Sequence, residues 1–366
     1  MNLPESAEVD VARLSAVFAD TTNSYKFYWL LAVLDSLRDH GQPLISMREL
    51  ALRMVAGVWY PLDYFKLSFG KQDGFKPIAA AVSKYLTVDN RPSAPPLLAQ
   101  LNRALAPTEL AALTDRTAVL LRWVPFRFIR PFFEAETRGL PDHQINNRIA
   151  ELAAQSMKAP YRFVNGHIEV HTPWLDYLQR HQGVLRGFIF WHLLRFVQKH
   201  NPNVIGLSEK LEKPGDEARK LKTATSYWKE FLVENNSFRC IYSNQTLLGN
   251  NLSIDHFLPW SYVAHNQLWN LIPTPKSVNS AKNNWLPSLE KYFDTYAQLQ
   301  YAGFQFHAAQ GHEKLLEDYH LLFAQSVADA QQQPFAWFRE RLAQQVIPQL
   351  QTARNLGFSY PFEFRT

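Results

Sequence analysis

The sequence predicts a mainly α fold of the α+β class, in which helical N- and C-terminal regions surround a small ββα module. Segments at both ends space their apolar residues three and four positions apart, as amphipathic helices do. Strand-like segments are few and lie at residues 122–133, at residues 161–170 and in the region that begins at Phe238. Hydrophobic residues make up 46% of the chain, which is enough to build the cores of two or three domains.

Changes in composition divide the 366 residues into four regions. Proline and alanine cluster from Arg91 to Pro107, as in a connection between subdomains. The predicted regions are a helical N-terminal domain (1–110), a helical region with a β-hairpin (111–235), the ββα module (236–290) and C-terminal helices (291–366).

The N-terminal region is predicted to be built on a buried helix from Thr22 to Leu37, because that segment is apolar almost all round. The sequence Ser46-Met-Arg-Glu49 has the pattern of a capping box and predicts the start of a second helix. Arginines alternate with aromatic residues from Arg122 to Phe133. This alternation is typical either of a single-strand-binding groove or of a half-buried strand, and we favour the strand.

Residues Tyr161 to Val170 are predicted to form a β-hairpin. Asn165 and Gly166 both tolerate positive φ, which a type I′ turn requires. In that register Tyr161 opposes Val170, and one face of the hairpin is apolar. The helices predicted to follow lie at about 173–181 and 183–200.

The segment from Lys210 to Asn235 predicts an amphipathic helix that leads into the module. Its apolar stripe, counted from Asp216, is formed by Leu221, Ala224, Trp228, Phe231 and Leu232. The other side carries basic residues that we term the basic face: Arg219, Lys222 and Lys229.

The stretch from Arg239 to Pro287 carries the residues that indicate chemistry. Two short apolar segments, at 238–242 and 252–257, are separated by polar turn residues that include Gly249-Asn-Asn251. This pattern predicts that the two segments pair as a β-hairpin.

A helix is predicted to follow this hairpin. Thr274 would be its N-cap and Pro275 its first residue, where the missing N–H costs nothing. Asn279 then lies about one turn into the helix and faces the Asp255-His256 pair at the end of the second strand. Carboxylate and amide oxygens are hard ligands for a small divalent cation, and an imidazole can act as a base. These groups suit metal-assisted phosphodiester hydrolysis.

Here the sequence resembles the HNH, or ββα-metal, endonuclease family, and in particular the zinc-free HNH domains of CRISPR RNA-guided nucleases. The resemblance is confined to this stretch and rests on Asp255-His256, Asn270, Asn279 and Lys282. It implies that Asp255 and Asn279 hold one Mg²⁺ or Mn²⁺ and that His256 takes a proton from the attacking water. Asn270 would orient His256 by bridging the loop to the strand, and Lys282 would approach a phosphate.

Many HNH domains also bind a structural zinc ion through two Cys-x-x-Cys pairs. This chain has a single cysteine, Cys240, and Ser243 stands where the second would fall. Cysteine therefore cannot supply a four-ligand zinc site, and we expect no structural zinc. A buried packing role is predicted for Cys240.

Composition agrees with a nucleic-acid partner. The formal net charge of +5 favours polyanions. Beside a nuclease module the basic face either binds the DNA backbone or is merely solvated, and we assign Arg219, Lys222 and Lys229 to DNA binding.

The single cysteine excludes a disulfide framework, the first residues lack the features of a signal peptide, and no segment is apolar enough to span a membrane. We therefore expect a cytoplasmic protein.

Two functions remain open at this point. The first is a metal-dependent DNA endonuclease that nicks one strand as a monomer or cuts both strands as a homodimer. Its setting would be bacterial restriction or anti-phage defence, with other defence proteins as partners. The second is a non-catalytic nucleic-acid-binding protein that keeps the module as a scaffold. The presence of Asp255, His256 and Asn279 together favours the endonuclease.

After the module, the spacing of apolar residues predicts C-terminal helices at about 289–301, 313–329 and 335–356. We expect these helices to pack against the N-terminal helices.

Overall fold

A computed structural model describes residues 2–71, 73–91, 93–213, 221–247 and 251–365. The chain divides into two compact units. Unit 1 comprises residues 1–202 and 207–213, and unit 2 comprises residues 203–206 and 214–366. Helices predominate over a few short strands among the described residues, which confirms the predicted mainly α class. No helix in the described ranges is both long enough and apolar enough to cross a bilayer.

Unit 1 is a helical assembly with one small antiparallel sheet, in the strand order β1-β3-β2. Its helices are Val11–Ala16 (α1), Tyr25–His40 (α2), Met47–Trp59 (α3), Phe75–Tyr85 (α4), Leu97–Ala104 (α5), Pro107–Thr117 (α6), Val124–Ile129 (α7), Glu134–Thr137 (α8), Asp142–Gln155 (α9), Thr172–Arg180 (α10) and Gln182–His200 (α11). Its strands are Leu44–Ser46 (β1), Tyr161–Val164 (β2) and His167–Val170 (β3).

The buried helix predicted in the N-terminal region is α2, which contributes most of its residues to the core. Helix α3 begins where the sequence predicted, but the capping box was wrong. Ser46 is the last residue of β1, and its side chain makes no capping hydrogen bond. Glu49 instead pairs with Arg53 one turn later, at 2.8 Å between Oε1 and Nε.

The hairpin of strands β2 and β3 forms in the predicted register, with Tyr161 opposite Val170. Its turn residues both have positive φ, 43° at Asn165 and 79° at Gly166, as a type I′ turn requires. Strand β1 adds a third strand that the sequence analysis did not predict, and it pairs with β3.

The segment from Arg122 to Phe133 is helical, so the predicted strand was wrong. Helix α7 lies between two short 3₁₀ helices in this segment. Pro125 and Pro131 occupy the first turns of α7 and of the second 3₁₀ helix, where a missing N–H is harmless. In a strand each would have removed a ladder hydrogen bond.

Unit 2 contains the ββα module and the helices around it. Its helices are Lys222–Glu234 (α12), Trp260–Val263 (α13), Lys276–Lys282 (α14), Leu289–Ala309 (α15), Glu317–Phe323 (α16), Val327–Gln331 (α17) and Phe335–Asn355 (α18). Its strands are Leu252–His256 (β4) and Leu271–Pro275 (β5).

The strand pairing predicted for the module was wrong. Strand β4 pairs antiparallel with β5, with Asp255 opposite Ile272 and His256 opposite Leu271. Residues 238–242 form no strand beyond an isolated bridge at Arg239, and Gly249-Asn250 lie outside the described residues. Apolar spacing reports that a segment is buried but not which strand it pairs with, and β5 is buried along its whole length.

The start of the helix was also predicted too early. Thr274 and Pro275 belong to β5, and α14 begins at Lys276. Pro275 occupies the N-cap position instead of the first helical position, so the helix starts one residue later than predicted. Asn279 still lies about one turn into the helix, as expected.

Helices α12 and α15 hold the module from outside. Trp228 of α12, which is buried, donates from Nε1 to the carbonyl oxygen of Leu271 in β5 at 3.0 Å. Tyr296 of α15 stacks on Phe257 with ring centroids 3.8 Å apart. The buried residues of α15–α18 form one core with those of the module. The C-terminal helices therefore pack on the module, and the expectation that they also pack against the N-terminal helices stays a prediction.

Candidate functional site

Asp255 is a buried carboxylate near the end of β4, with 4% of the residue exposed. The Tyr242 hydroxyl donates to its Oδ2 at 3.1 Å. The Lys282 ammonium lies 3.1 Å from Oδ2 and 3.3 Å from Oδ1. Burial raises the pKa of Asp255 above its usual value, and the positive charge of Lys282 opposes that rise.

Lys282 is fully buried in the last turn of α14. Besides its ion pair with Asp255, its Nζ donates to the carbonyl oxygen of His256 at 2.7 Å. Burial lowers the pKa of Lys282, and the carboxylate of Asp255 opposes that effect. An approach of Lys282 to a phosphate therefore requires the pair with Asp255 to open.

His256 ends β4 and is 8% exposed. Its Nε2 lies 3.0 Å from Oδ1 of Asn266, in the loop that returns the chain to β5. Because an amide oxygen only accepts hydrogen bonds, this contact places a proton on Nε2.

Asn270 is the residue that precedes β5, and its side chain connects it to the loop after β4. Its Oδ1 accepts from the backbone N–H of Leu258 at 2.8 Å, and its Nδ2 donates to the carbonyl oxygen of the same residue at 2.9 Å. The Phe257 N–H donates to the Asn270 carbonyl at 2.7 Å. Asn270 thus bridges the loop to the start of β5 through Leu258, and its predicted role in orienting His256 stays a prediction.

Asn279 faces β4 from helix α14. Its Nδ2 donates to Oγ of Ser253 at 2.7 Å and to the carbonyl oxygen of Ile254 at 3.1 Å. Since a carbonyl cannot donate, the contact with Ile254 fixes the orientation of the amide. The amide oxygen of Asn279 therefore points away from these strand contacts and is available as a ligand.

The basic face is only partly described. Lys222 and Lys229 are exposed on α12, whereas Ala224, Trp228 and Phe231 on the other side of this helix are buried as predicted. Arg219 lies outside the described residues. Two exposed lysines two turns apart can contact the same polyanion.

Tyr242 and Asn266 contact the predicted residues and were missed by the sequence analysis. Both lie in irregular segments, where the positions of side chains do not follow from a period of 2 or 3.6 residues. Cys240, as predicted, is a buried free cysteine.

We expect the Lys282→Met substitution to destabilise unit 2, because it leaves the buried carboxylate of Asp255 without its cation. Breaking a buried ion pair costs about 3–5 kcal/mol, whereas replacing both partners by neutral groups is often tolerated. Hydrogen–deuterium exchange of β4 and α14, with a chelator present, measures the effect. The double variant Lys282→Met/Asp255→Asn is the control and should exchange more slowly than the single variant. Wild-type protection in Lys282→Met would contradict this prediction.

Comparison with known proteins agrees with the sequence motif. The family model described as HNH endonuclease matches residues 240–288. No curated protein and no solved structure matches the chain. The matched segment begins at Cys240 and contains all the predicted metal and catalytic residues. Residues 240–288 are therefore similar to the HNH endonuclease family, as the motif predicted.

Proposed function

We propose that the protein is a metal-dependent endonuclease that hydrolyses phosphodiester bonds in DNA. The observation that carries this proposal is the close arrangement of Asp255, His256 and Asn279. The first two are consecutive at the end of β4, and the third hydrogen-bonds to the carbonyl of Ile254, the residue before Asp255. The neighbourhood of these three residues supports a site in which two oxygen ligands and an imidazole act together.

The donor set fits a small hard cation. Asp255 offers a carboxylate and Asn279 an amide oxygen whose orientation is fixed by Ile254. Mg²⁺ and Mn²⁺ prefer such oxygens and are commonly held by one or two protein groups together with waters and phosphates. When bound, the cation would neutralise charge on the scissile phosphate and on the leaving 3′ oxygen.

His256 is assigned the role of general base. The contact between Nε2 and Asn266 holds the imidazole in place at the end of β4, where it would take a proton from the attacking water. Asn270 supports this role from a distance, since its two hydrogen bonds to Leu258 fix the backbone just after His256. Lys282 is assigned to holding Asp255 in place through the buried ion pair.

Incubation of plasmid DNA with purified protein tests the proposal. We expect cleavage with Mg²⁺ or Mn²⁺ and none with a chelator. The alternative, a non-catalytic nucleic-acid-binding protein, predicts a shift of the plasmid in a gel without cleavage under any metal condition. Parallel assays on DNA and RNA would show which polymer is cut. Bacterial restriction or anti-phage defence in the cytoplasm remains the proposed setting.

We expect a monomer to nick, because one site with one cation cuts one phosphodiester bond. Supercoiled plasmid should become open-circular first, and linear product should follow only from a second nick nearby or from a homodimer. Time courses at concentrations where light scattering finds a monomer test this expectation. Linear product without an open-circular intermediate under those conditions would show that the single-site interpretation is wrong.

The basic face is proposed to bind the DNA backbone. Each phosphate contact that is lost should lower the slope of log K against log salt by about 0.9. The double reversal Lys222→Glu/Lys229→Glu should therefore weaken binding and flatten its salt dependence, and Arg219→Glu should add to the effect. Lys84→Glu/Lys199→Glu, at two exposed lysines of unit 1, makes the same change in net charge. Equal losses in both double variants would mean that only overall charge matters.

A further inference from the structure

A second group of metal-ligating side chains lies in unit 2, outside the nuclease motif. It consists of Glu230 on α12, His307 near the end of α15, and His312 in the turn that follows. One donor atom from each residue lies within 4.8 Å of the donor atoms of the other two. His307 is fully buried, whereas Glu230 is exposed.

The local sequence explains why the two histidines meet. Gly311 has φ of 74°, in the left-handed region that favours glycine. The N–H of Gly311 donates to the Ala308 carbonyl at 3.0 Å, and the N–H of His312 donates to the His307 carbonyl at 3.1 Å. These two bonds define a Schellman motif at the end of α15, in which the positions of His307 and His312 usually make an apolar contact. Here the contact is made by two imidazoles.

The nitrogens of these imidazoles are oriented towards each other. Nε2 of His307 lies 3.0 Å from the carbonyl oxygen of Tyr227 and must carry the proton, since a carbonyl only accepts. Nδ1 of His307 therefore has the lone pair, and it lies 3.2 Å from Nδ1 of His312. A histidine that ligates a metal commonly donates its other N–H to a backbone carbonyl in this way.

The separation of the two nitrogens suits a shared ion. Two nitrogens bound tetrahedrally to one zinc ion, at about 2.0–2.1 Å each, lie about 3.3–3.4 Å apart. The observed 3.2 Å is close to that separation. Glu230 is exposed, so a change of its side-chain rotamer can bring a carboxylate oxygen to the same point.

We propose that Glu230, His307 and His312 form a binding site for a transition-metal ion of the Zn²⁺ class, with water as the fourth ligand. Two imidazoles and a carboxylate match the ligands that zinc prefers. The expectation of no structural zinc considered cysteine alone, and this site needs no cysteine.

The ion would join α12 to the end of α15. Trp228, two residues before Glu230, donates a hydrogen bond to the Leu271 carbonyl of β5. Leu271 lies opposite His256 in the pairing of β4 with β5. The site therefore fastens the helix that supports the strand pair carrying Asp255 and His256. Its role is structural and separate from the cation proposed at Asp255 and Asn279.

Zinc binding to the full chain tests the proposal. After removal of metals with a chelator, equilibrium dialysis should give one tightly bound Zn²⁺ per chain, both in the wild type and in Asp255→Ala. His312→Asn and Glu230→Gln should each raise the Kd by about 100-fold or more, because loss of an outer-shell partner alone costs about 10–100-fold. The control His320→Asn, at an exposed histidine of the same unit, should leave the Kd unchanged.

Cobalt provides a second readout that does not depend on nuclease activity. Co²⁺ bound at this site should show the intense visible absorption of tetrahedral coordination, and His312→Asn should abolish it. Circular dichroism identifies any variant that fails to fold. Absence of stoichiometric Zn²⁺ binding would overturn the proposal and leave a direct hydrogen bond between the two histidines. Zinc that is lost in Asp255→Ala but kept in His312→Asn would also overturn it.

Discussion

The His256→Ala variant is expected to lose DNA cleavage by at least about 100-fold, since general-base catalysis contributes about 10²–10⁴-fold. Binding of DNA should be nearly unchanged, because the imidazole acts on the attacking water and is not expected to hold the ground-state complex. Single-turnover cleavage and a binding titration in Ca²⁺ separate the two effects. His143→Ala, at an exposed histidine of unit 1, is the matched control. Cleavage at the wild-type rate by His256→Ala would exclude the proposed role.

Asn266 offers a finer test of the same role. Its amide oxygen holds the proton on Nε2 of His256. Asn266→Ala should therefore lower the cleavage rate less than His256→Ala does, because the base remains but its tautomer and orientation are no longer fixed. If both variants are equally inactive and equally well folded, the imidazole is not the only essential group at this position.

Wild-type cleavage should also rise with pH as the base loses its proton. An imidazole ordinarily changes charge between about pH 5 and 8, and only its neutral form accepts a proton from water. Measured under single-turnover conditions, the rate should increase with pH and then level off once the base is neutral. A flat profile would count against a histidine base.

The Asp255→Ala variant is expected to lose metal affinity and cleavage together. A carboxylate binds a hard divalent cation more strongly than a neutral amide does, so Asp255→Ala should lose more Mn²⁺ affinity than Asn279→Ala. We expect a loss of at least about tenfold, because even outer-shell changes cost about 10–100-fold. Titrations in a His312→Asn background keep the proposed zinc site from contributing. Equal Mn²⁺ affinity in Asp255→Ala and in its parent would show that Asp255 is not a ligand of the metal.

The fold of the Asp255 variant has to be secured before its activity is interpreted. Removing the carboxylate leaves the buried ammonium of Lys282 unpaired, which costs about 3–5 kcal/mol. The double variant Asp255→Ala/Lys282→Met removes both charges and should recover stability without recovering cleavage. If instead it recovers cleavage, Asp255 serves the ion pair and not the metal.

The sequence by itself determined the features that depend on neighbours along the chain. The type I′ turn at Asn165-Gly166 formed in the predicted register, because only residues that tolerate positive φ suit that turn. The apolar side of α12 was recognised from its helical period, since packing against a core requires one continuous stripe. The resemblance to the HNH family rests on residue types and their spacing between Asp255 and Lys282, and the family match over residues 240–288 confirms it.

Only the tertiary structure decided how distant segments meet. Strand β4 pairs with β5, which is buried along its full length. Apolar spacing alone allowed residues 238–242 to be the partner of β4 equally well. The charge of Lys282 is buried against Asp255, although a lysine on a short helix is ordinarily solvated. Glu230 lies beside His307 and His312 because α12 and α15 pack on the same module. Contacts of this kind are set by three-dimensional packing, which no local period in the sequence encodes.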